Sequence, residues 1–383
     1  MKCRSSLILA VLALSVSFAR AAEPTTKPAT DNRVLIISID GLRPDLMLRA
    51  NTPTLHRLLE EGSFTLWAQT TAVSVTMPSH VSMLTGAKPQ VHQIEWNHDM
   101  PLSQPIYPKV PTLFELAKKA GYTTGMVAGK SKFEVLAKPG TLDVGFAPTS
   151  EVITDREVLS HALDVINAGT PQVMFIHFPQ TDRTGHTIGW ATPQQLEAIH
   201  GADNAIGTIL GTLASKGLLE KTLLIISADH GGAGKTHGAD DVRSRCIPWI
   251  AVGPGVRAGI DLTNSAPDRT IRTEDTFATA CNFLGIPVDP AREGRPVMEI
   301  YDRRGQELLT DSSPTVAEPA PAAVAPQPAA TPAPAAVVKS IETAKAEPAG
   351  PVKSPATTRP ASTQPQETAA AAFLRRAVDA ILR

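Results

Sequence analysis

Between residue 32 and residue 310 the chain alternates short apolar runs, rich in β-branched residues, with longer segments of helical periodicity, and this alternation admits few architectures. The runs are 34–39, 123–127, 173–178, 223–228 and 247–252. Each has the length of a strand and is apolar at successive positions, as a strand covered on both faces must be. Segments 52–61, 113–120, 155–168, 193–215 and 273–284 read as helices, with Gly121 and Gly217 where helix stops are expected. Strand and helix in alternation predict an α/β protein: a three-layer sandwich with a mostly parallel central sheet and helices on both faces.

Composition restricts the function. Of 383 residues, 42% are hydrophobic, enough for a large core. With 36 Lys and Arg against 37 Asp and Glu, no nucleic-acid surface is evident, and a small soluble substrate is the default. The first residues have the order of a secretory signal: Lys2 and Arg4, an apolar stretch over 7–18, then Ala19-Arg20-Ala21. Cleavage after Ala21 is expected, with a periplasmic or secreted product; the apolar stretch is short for a span of about 20 residues. Cys246 and Cys281 then remain. Two cysteines form no disulfide framework, and Cys281, in an apolar helical stretch, reads as a buried thiol; a disulfide between elements stays open in an exported chain.

The expected organisation is a signal peptide over 1–21, a large α/β domain over 32–310, a linker over 312–366 and a short helix over 367–383. The linker is dominated by Pro and Ala and cannot bury a core. In the last segment Phe373, Leu374, Ala377, Val378, Ile381 and Leu382 form an apolar stripe. It is expected to dock on a protein partner or its own domain, with weak membrane attachment as the alternative.

Five segments carry chemistry. Asp40-Gly41-Leu42-Arg43-Pro44-Asp45 follows the first strand directly, and an Asp followed by Gly at a strand end suits a divalent metal ligand, although a turn residue is its commoner role. Thr76-Met77-Pro78-Ser79-His80 precedes a helical run over 81–85, placing Thr76 near a helix start, where free amides favour an anion and where a cap is the plainer reading. Asp182-Arg183-Thr184-Gly185-His186 carries Asp and His four apart, on one face of a helical turn or tight loop. Ala228-Asp229-His230-Gly231-Gly232 places adjacent Asp and His at a strand end, where neighbours can diverge toward two ions. His237-Gly238 follows in the next loop.

In composition and chain order these segments resemble the alkaline phosphatase superfamily, and the Thr-x-Pro segment is similar to its type I phosphodiesterase / nucleotide pyrophosphatase branch. The resemblance covers residues 33–290 and implies an alkaline phosphatase-like fold. It also implies two Zn2+ ions, one held by Asp182, His186 and His237, the other by Asp40, Asp229, His230 and the nucleophile Thr76. Asn97 matches a family residue that hydrogen-bonds a phosphoryl oxygen. The chain departs from the branch in reading Met77 and Ser79 where Phe and Asn are frequent. It also has only six residues between His230 and His237 and shows no evident aromatic pair for stacking a base. Sulfatases share the fold but require a Cys/Ser-x-Pro-x-Arg segment, which does not occur. Cofactor-independent phosphoglycerate mutases need an inserted domain that residues 100–180 are too short to hold.

The resulting expectation is an exported zinc-dependent phosphodiesterase, with two ions about 4 Å apart at an in-line displacement and a phosphothreonine intermediate. A phosphomonoesterase on the same site and a noncatalytic zinc-bearing domain are the alternatives. His80, His92 and His98 flank the nucleophile as candidates to support the ligands. His56, His161, His177 and His200 read as structural, and Lys130 and Lys132 as solvated surface residues.

Overall fold

In a computed structural model, residues 28, 30–98, 106–149, 152–238 and 240–302 are described. They lie in the first of the two units into which the chain divides, Met1–Pro314. The expected signal peptide, linker and terminal helix fall outside the described residues.

Eight strands form one sheet: β1 (Arg33–Ile39), β2 (Ser63–Gln69), β3 (Thr124–Ala128), β4 (Val144–Phe146), β5 (Val173–Phe178), β6 (Thr222–Ser227), β7 (Cys246–Val252) and β8 (Ile260–Asp261). Their order is β4-β3-β5-β1-β6-β7-β2-β8. β7 runs against both neighbours, and every other pairing is parallel, so the sheet is mostly parallel as expected. Successive residues of β1, β3, β5 and β6 are buried without alternation, which requires cover on both faces. Two groups of helices supply it. Pro53–Glu61, Asp155–Gly169 and Gln180–Thr187 pack against the long helix Pro193–Ser215, while Asp275–Phe283 packs against Thr76–Thr85 and Leu113–Lys119.

Local sequence fixes several helix starts. Thr112 and Thr154 each accept the amide three residues on, from Glu115 and Glu157, whose side chains close capping boxes. Thr192 caps the long helix ahead of Pro193.

The structure adds elements that periodicity missed. β2 carries a register shift between Thr65 and Ala68, so its alternation is broken, and β4 and β8 have three and two residues. The helix of the Thr76-Met77-Pro78 segment starts at Thr76 itself, earlier than the apolar run over 81–85. Cys246 and Cys281 are buried free thiols.

Candidate active site

The parallel strands β3, β5, β1 and β6 lie side by side, and their carboxyl ends deliver the chemistry to one edge. Asp40 follows β1, Asp229 and His230 follow β6, and the helix Gln180–Thr187 after β5 carries Asp182 and His186 one turn apart. His237 reaches back from the loop between β6 and β7. These six residues gather as two clusters of three beside Thr76. In one, Asp40, Asp229 and His230 bring their ligand atoms within 4.8 Å of one another, and in the other Asp182, His186 and His237 do the same. Asp229 and His230 thus join one cluster with Asp40, the grouping the family resemblance implies, and do not diverge toward two ions as their adjacency alone allows.

The hydrogen bonds of these residues fit cations. The Nδ1 atoms of His230, His237 and His186 donate to the carbonyls of Gly231, Ser74 and Lys235 at 2.8, 2.9 and 3.0 Å. In a neutral ring each Nε2 is then a lone pair, and it faces a carboxylate oxygen. His230 Nε2 lies 3.2 Å from Asp229 Oδ2, His186 Nε2 3.3 Å and His237 Nε2 3.8 Å from Asp182 Oδ1. Asp229 Oδ2, Asp182 Oδ1 and Asp40 Oδ1 are buried and accept no hydrogen bond. Lone pairs facing lone pairs repel unless a cation lies between them, so the donor set suits two divalent ions with mixed nitrogen and oxygen ligands.

Burial pushes the His230 imidazole down to about 4 and also lowers His237, keeping both rings neutral, as ligands must be. Burial also pushes the Asp229 carboxyl well above its ordinary value, reinforced by the nearby Asp40 charge. For Asp40 burial acts upward too, but Lys130 and the hydrogen bond from His177 outweigh it and hold the carboxyl well below the carboxylate range.

Sequence reading placed Lys130 on the surface and His177 among the structural histidines; both belong to this site. Lys130 Nζ is 2.6 Å from Asp40 Oδ2 and 2.6 Å from Asp182 Oδ2, bridging a carboxylate of each cluster, and its side chain is 6% exposed. His177 Nε2 is 2.9 Å from Asp40 Oδ2, and its Nδ1 accepts the Gly129 amide. The signal for Lys130 was its place just past a strand end, the same position that marked Asp40. His177 gave no such signal, because every residue of β5 is buried.

Thr76 opens its helix, and its Oγ1 lies 3.3 Å from His230 Nε2. Asn97 Oδ1 accepts from the Met77 amide at 3.1 Å and from Lys132 Nζ at 3.2 Å, which orients the amide and leaves its NH2 for an incoming acceptor. His80 donates from Nδ1 to the Thr76 carbonyl at 2.8 Å and contacts Ser38 Oγ through Nε2, bracing the Thr76 backbone. His92 Nε2 contacts Ser82 Oγ at 3.1 Å and the Pro78 carbonyl at 3.2 Å, both in the helix that Thr76 opens, while its Nδ1 accepts the Ile94 amide, and the His98 ring is tilted beside Trp96. His56, His161 and His200 stand away from the clusters, bonded to Thr52, stacked on Phe146 and bonded to Asn51.

A mostly parallel sheet with paired Asp and His clusters at its carboxyl edge is the alkaline phosphatase-like arrangement. Murine ectonucleotide pyrophosphatase / phosphodiesterase 5, solved as an inactive variant in complex with AMP, matches with a TM-score of 0.58 at 15% identity, covering 70% of this chain and 98% of that one. A 2-O GAG sulfatase matches with a TM-score of 0.57 at 15% identity over 70% and 73%, so the likeness to solved structures extends across the fold. More specifically, the chain belongs to the type I phosphodiesterase / nucleotide pyrophosphatase family, whose model matches residues 34–243. Relatives include an uncharacterized pyrophosphatase/phosphodiesterase of Schizosaccharomyces pombe, 24% identical over 52% of this chain and 44% of that protein. Human ectonucleotide pyrophosphatase/phosphodiesterase family member 7 is 23% identical over 60% of this chain and 54% of that protein. The chain thus spans about half the length of the curated relatives it matches.

Proposed function

We propose that the chain is an exported, zinc-dependent phosphodiesterase that cleaves a phosphate ester through a covalent phosphothreonine on Thr76. The observation that carries this reading is the convergence of three histidine lone pairs and three partnerless carboxylate oxygens beside a hydroxyl at a helix start. Asp40, Asp229 and His230 would hold one ion, and Asp182, His186 and His237 the other; mixed imidazole and carboxylate donors suit zinc. Bound there, divalent ions supply Lewis acidity, which lowers a hydroxyl pKa and offsets phosphoryl charge.

Thr76 Oγ1 attacks phosphorus and gives its proton to solvent as the bond from phosphorus to the departing oxygen breaks and that oxygen leaves as the protonated alcohol; water then attacks phosphorus, the bond from phosphorus to Thr76 Oγ1 breaks, and one proton of the water restores the Thr76 hydroxyl. The Asn97 NH2 binds a non-bridging oxygen, held in place because its Oδ1 accepts the Met77 amide. Export rests on the signal order over 1–21. The AMP bound in the murine relative supports nucleotides as a class to test first.

The test is Thr76→Ala in the mature, metal-loaded protein. Metal content by atomic absorption should be retained, hydrolysis of bis(p-nitrophenyl) phosphate should fall by at least about a thousandfold, and acid quench of the wild type should trap phosphate on the Thr76 peptide. Wild-type turnover in the variant removes Thr76 from the mechanism. After chelation, zinc should restore activity better than manganese or magnesium.

A further inference from the structure

Each of the three carboxylates in the two clusters has one oxygen engaged and one without a hydrogen bond. Lys130 Nζ donates to Asp40 Oδ2 and to Asp182 Oδ2, at 2.6 Å each. His177 Nε2 donates to the same Asp40 Oδ2 at 2.9 Å, and the Gly41 amide donates to Asp229 Oδ1 at 3.1 Å. The other three oxygens, Asp40 Oδ1, Asp182 Oδ1 and Asp229 Oδ2, are the buried partnerless ones. They are also the ones turned to imidazole nitrogen. Asp40 Oδ1 lies 3.5 Å and Asp229 Oδ2 3.2 Å from His230 Nε2, and Asp182 Oδ1 lies 3.3 Å from His186 Nε2.

A carboxylate engaged in this way offers an ion only its other oxygen, so each cluster presents three protein atoms. Three donors that mix nitrogen and oxygen leave one open position on a four-coordinate ion such as zinc. Manganese takes about six ligands, preferably oxygens, and gains from every oxygen added. The restraint is unequal between the clusters. Asp40 Oδ2 has two donors and Asp229 Oδ1 is held by backbone, so both stay engaged without Lys130. Among the described residues the donor to Asp182 Oδ2 is Lys130 alone, and its side chain is 6% exposed, which leaves water little room to replace it.

We propose that Lys130 is a positioning residue that selects zinc: by holding the second oxygen of Asp182 it keeps the cluster of Asp182, His186 and His237 to three donors and disfavours ions that require more. This rests on the reading that the clusters hold divalent ions, and it assigns the choice of ion to a lysine that is not itself a ligand. The second donor at Asp40, His177, confines the effect to one ion of the two.

The experiment exchanges ions between loaded forms of wild type, Lys130→Met and Lys130→Arg, so that no metal-free protein is required. Each is dialysed against buffered mixtures of Zn2+ and Mn2+, and bound metal is read by atomic absorption. Loss of a positive charge strengthens the binding of both ions alike, whereas a freed oxygen favours manganese, so the ratio separates the two effects. In Lys130→Met the preference for zinc should fall by about tenfold or more at one of the two sites, and Lys130→Arg should restore much of it. Cobalt gives a second readout independent of turnover. The Co2+-loaded wild type should show the intense visible bands of four-coordinate ions, and Lys130→Met should lose them for one ion. An unchanged ratio in Lys130→Met, or a cobalt spectrum identical to that of the wild type, overturns the proposal. Should that variant fail to fold, the wild type decides: weak absorption of six-coordinate ions at both sites overturns it, and intense bands from both support it. A wild type that binds zinc but hydrolyses no phosphate ester removes the phosphodiesterase reading and leaves the metal ratio to decide the role of Lys130. A wild type that binds no divalent ion removes both.

Discussion

Gly41 concentrates the constraints of the site in one residue. Its φ is +74°, and a Cβ there would lie 3.0 Å from both Cα and Cβ of Asp182. Its amide donates to Asp229 Oδ1 at 3.1 Å, and its carbonyl accepts from Trp190 Nε1 at 3.0 Å. The residue after Asp40 thus touches Asp182 of the other cluster and Asp229 of its own, and Trp190 lies edge-on to His186. Gly41→Ala should therefore cost about 1–3 kcal/mol of stability and weaken metal binding, because the new methyl group separates the halves of the site. Thermal unfolding and a metal titration check this; unchanged values in both would show that the Asp40 loop can move away freely. The same residue explains what was legible. Asp40, Asp182, Asp229 and His230 follow apolar runs closely, so linear order exposes them. Lys130 and His177 come from strands that meet Asp40 only through the order β3-β5-β1, and no periodicity in the chain states that order.

At the scale of the element, the helix Asp155–Gly169 shows burial overriding a favourable local rule. An acid in a first helical turn is ordinarily stabilising. Asp155 is instead buried, with Oδ1 accepting the Gln180 amide at 2.9 Å and Oδ2 without a partner. Burial pushes its carboxyl up to about 7. The folded state then holds a proton that the unfolded chain releases near the ordinary carboxylate value of about 4. Stability falls as pH rises from about 4 to about 7 and levels off above that. Asp155→Asn, which cannot ionise, should raise the melting temperature at pH 8, with a gain that shrinks toward pH 4. A gain that is constant with pH would mean that Asp155 is already ionised in the folded protein. Helices with capping threonines were readable to within a residue or two, since their signals are local. The helix Gln180–Thr187, which bonds to Asp155 through its first residue, was readable only as a helical turn or tight loop, because its eight residues include no large apolar one and it packs on the long helix.

Across the whole molecule, four strands and three loops converge on a region where Asp40, Asp182 and Asp229 are buried and Lys130 is the cation shared between the clusters. Such an edge is electrostatically incomplete without metal, and binding energy at the site becomes folding energy. At a metal concentration 100 times Kd, linkage supplies about 2.7 kcal/mol, so chelation should lower the melting temperature and zinc should restore it. Lys130 decides how large that difference is. In the metal-free protein it offsets two carboxylates, and its loss leaves buried charge uncompensated, at a cost of about 3–5 kcal/mol. In the metal-loaded protein two divalent ions neutralise the same oxygens, so the loss should be much smaller. Lys130→Met should therefore widen the gap between metal-free and metal-loaded melting temperatures. Equal gaps in the variant and the wild type would show that the ammonium and the metal ions do not share the task of neutralising Asp40 and Asp182.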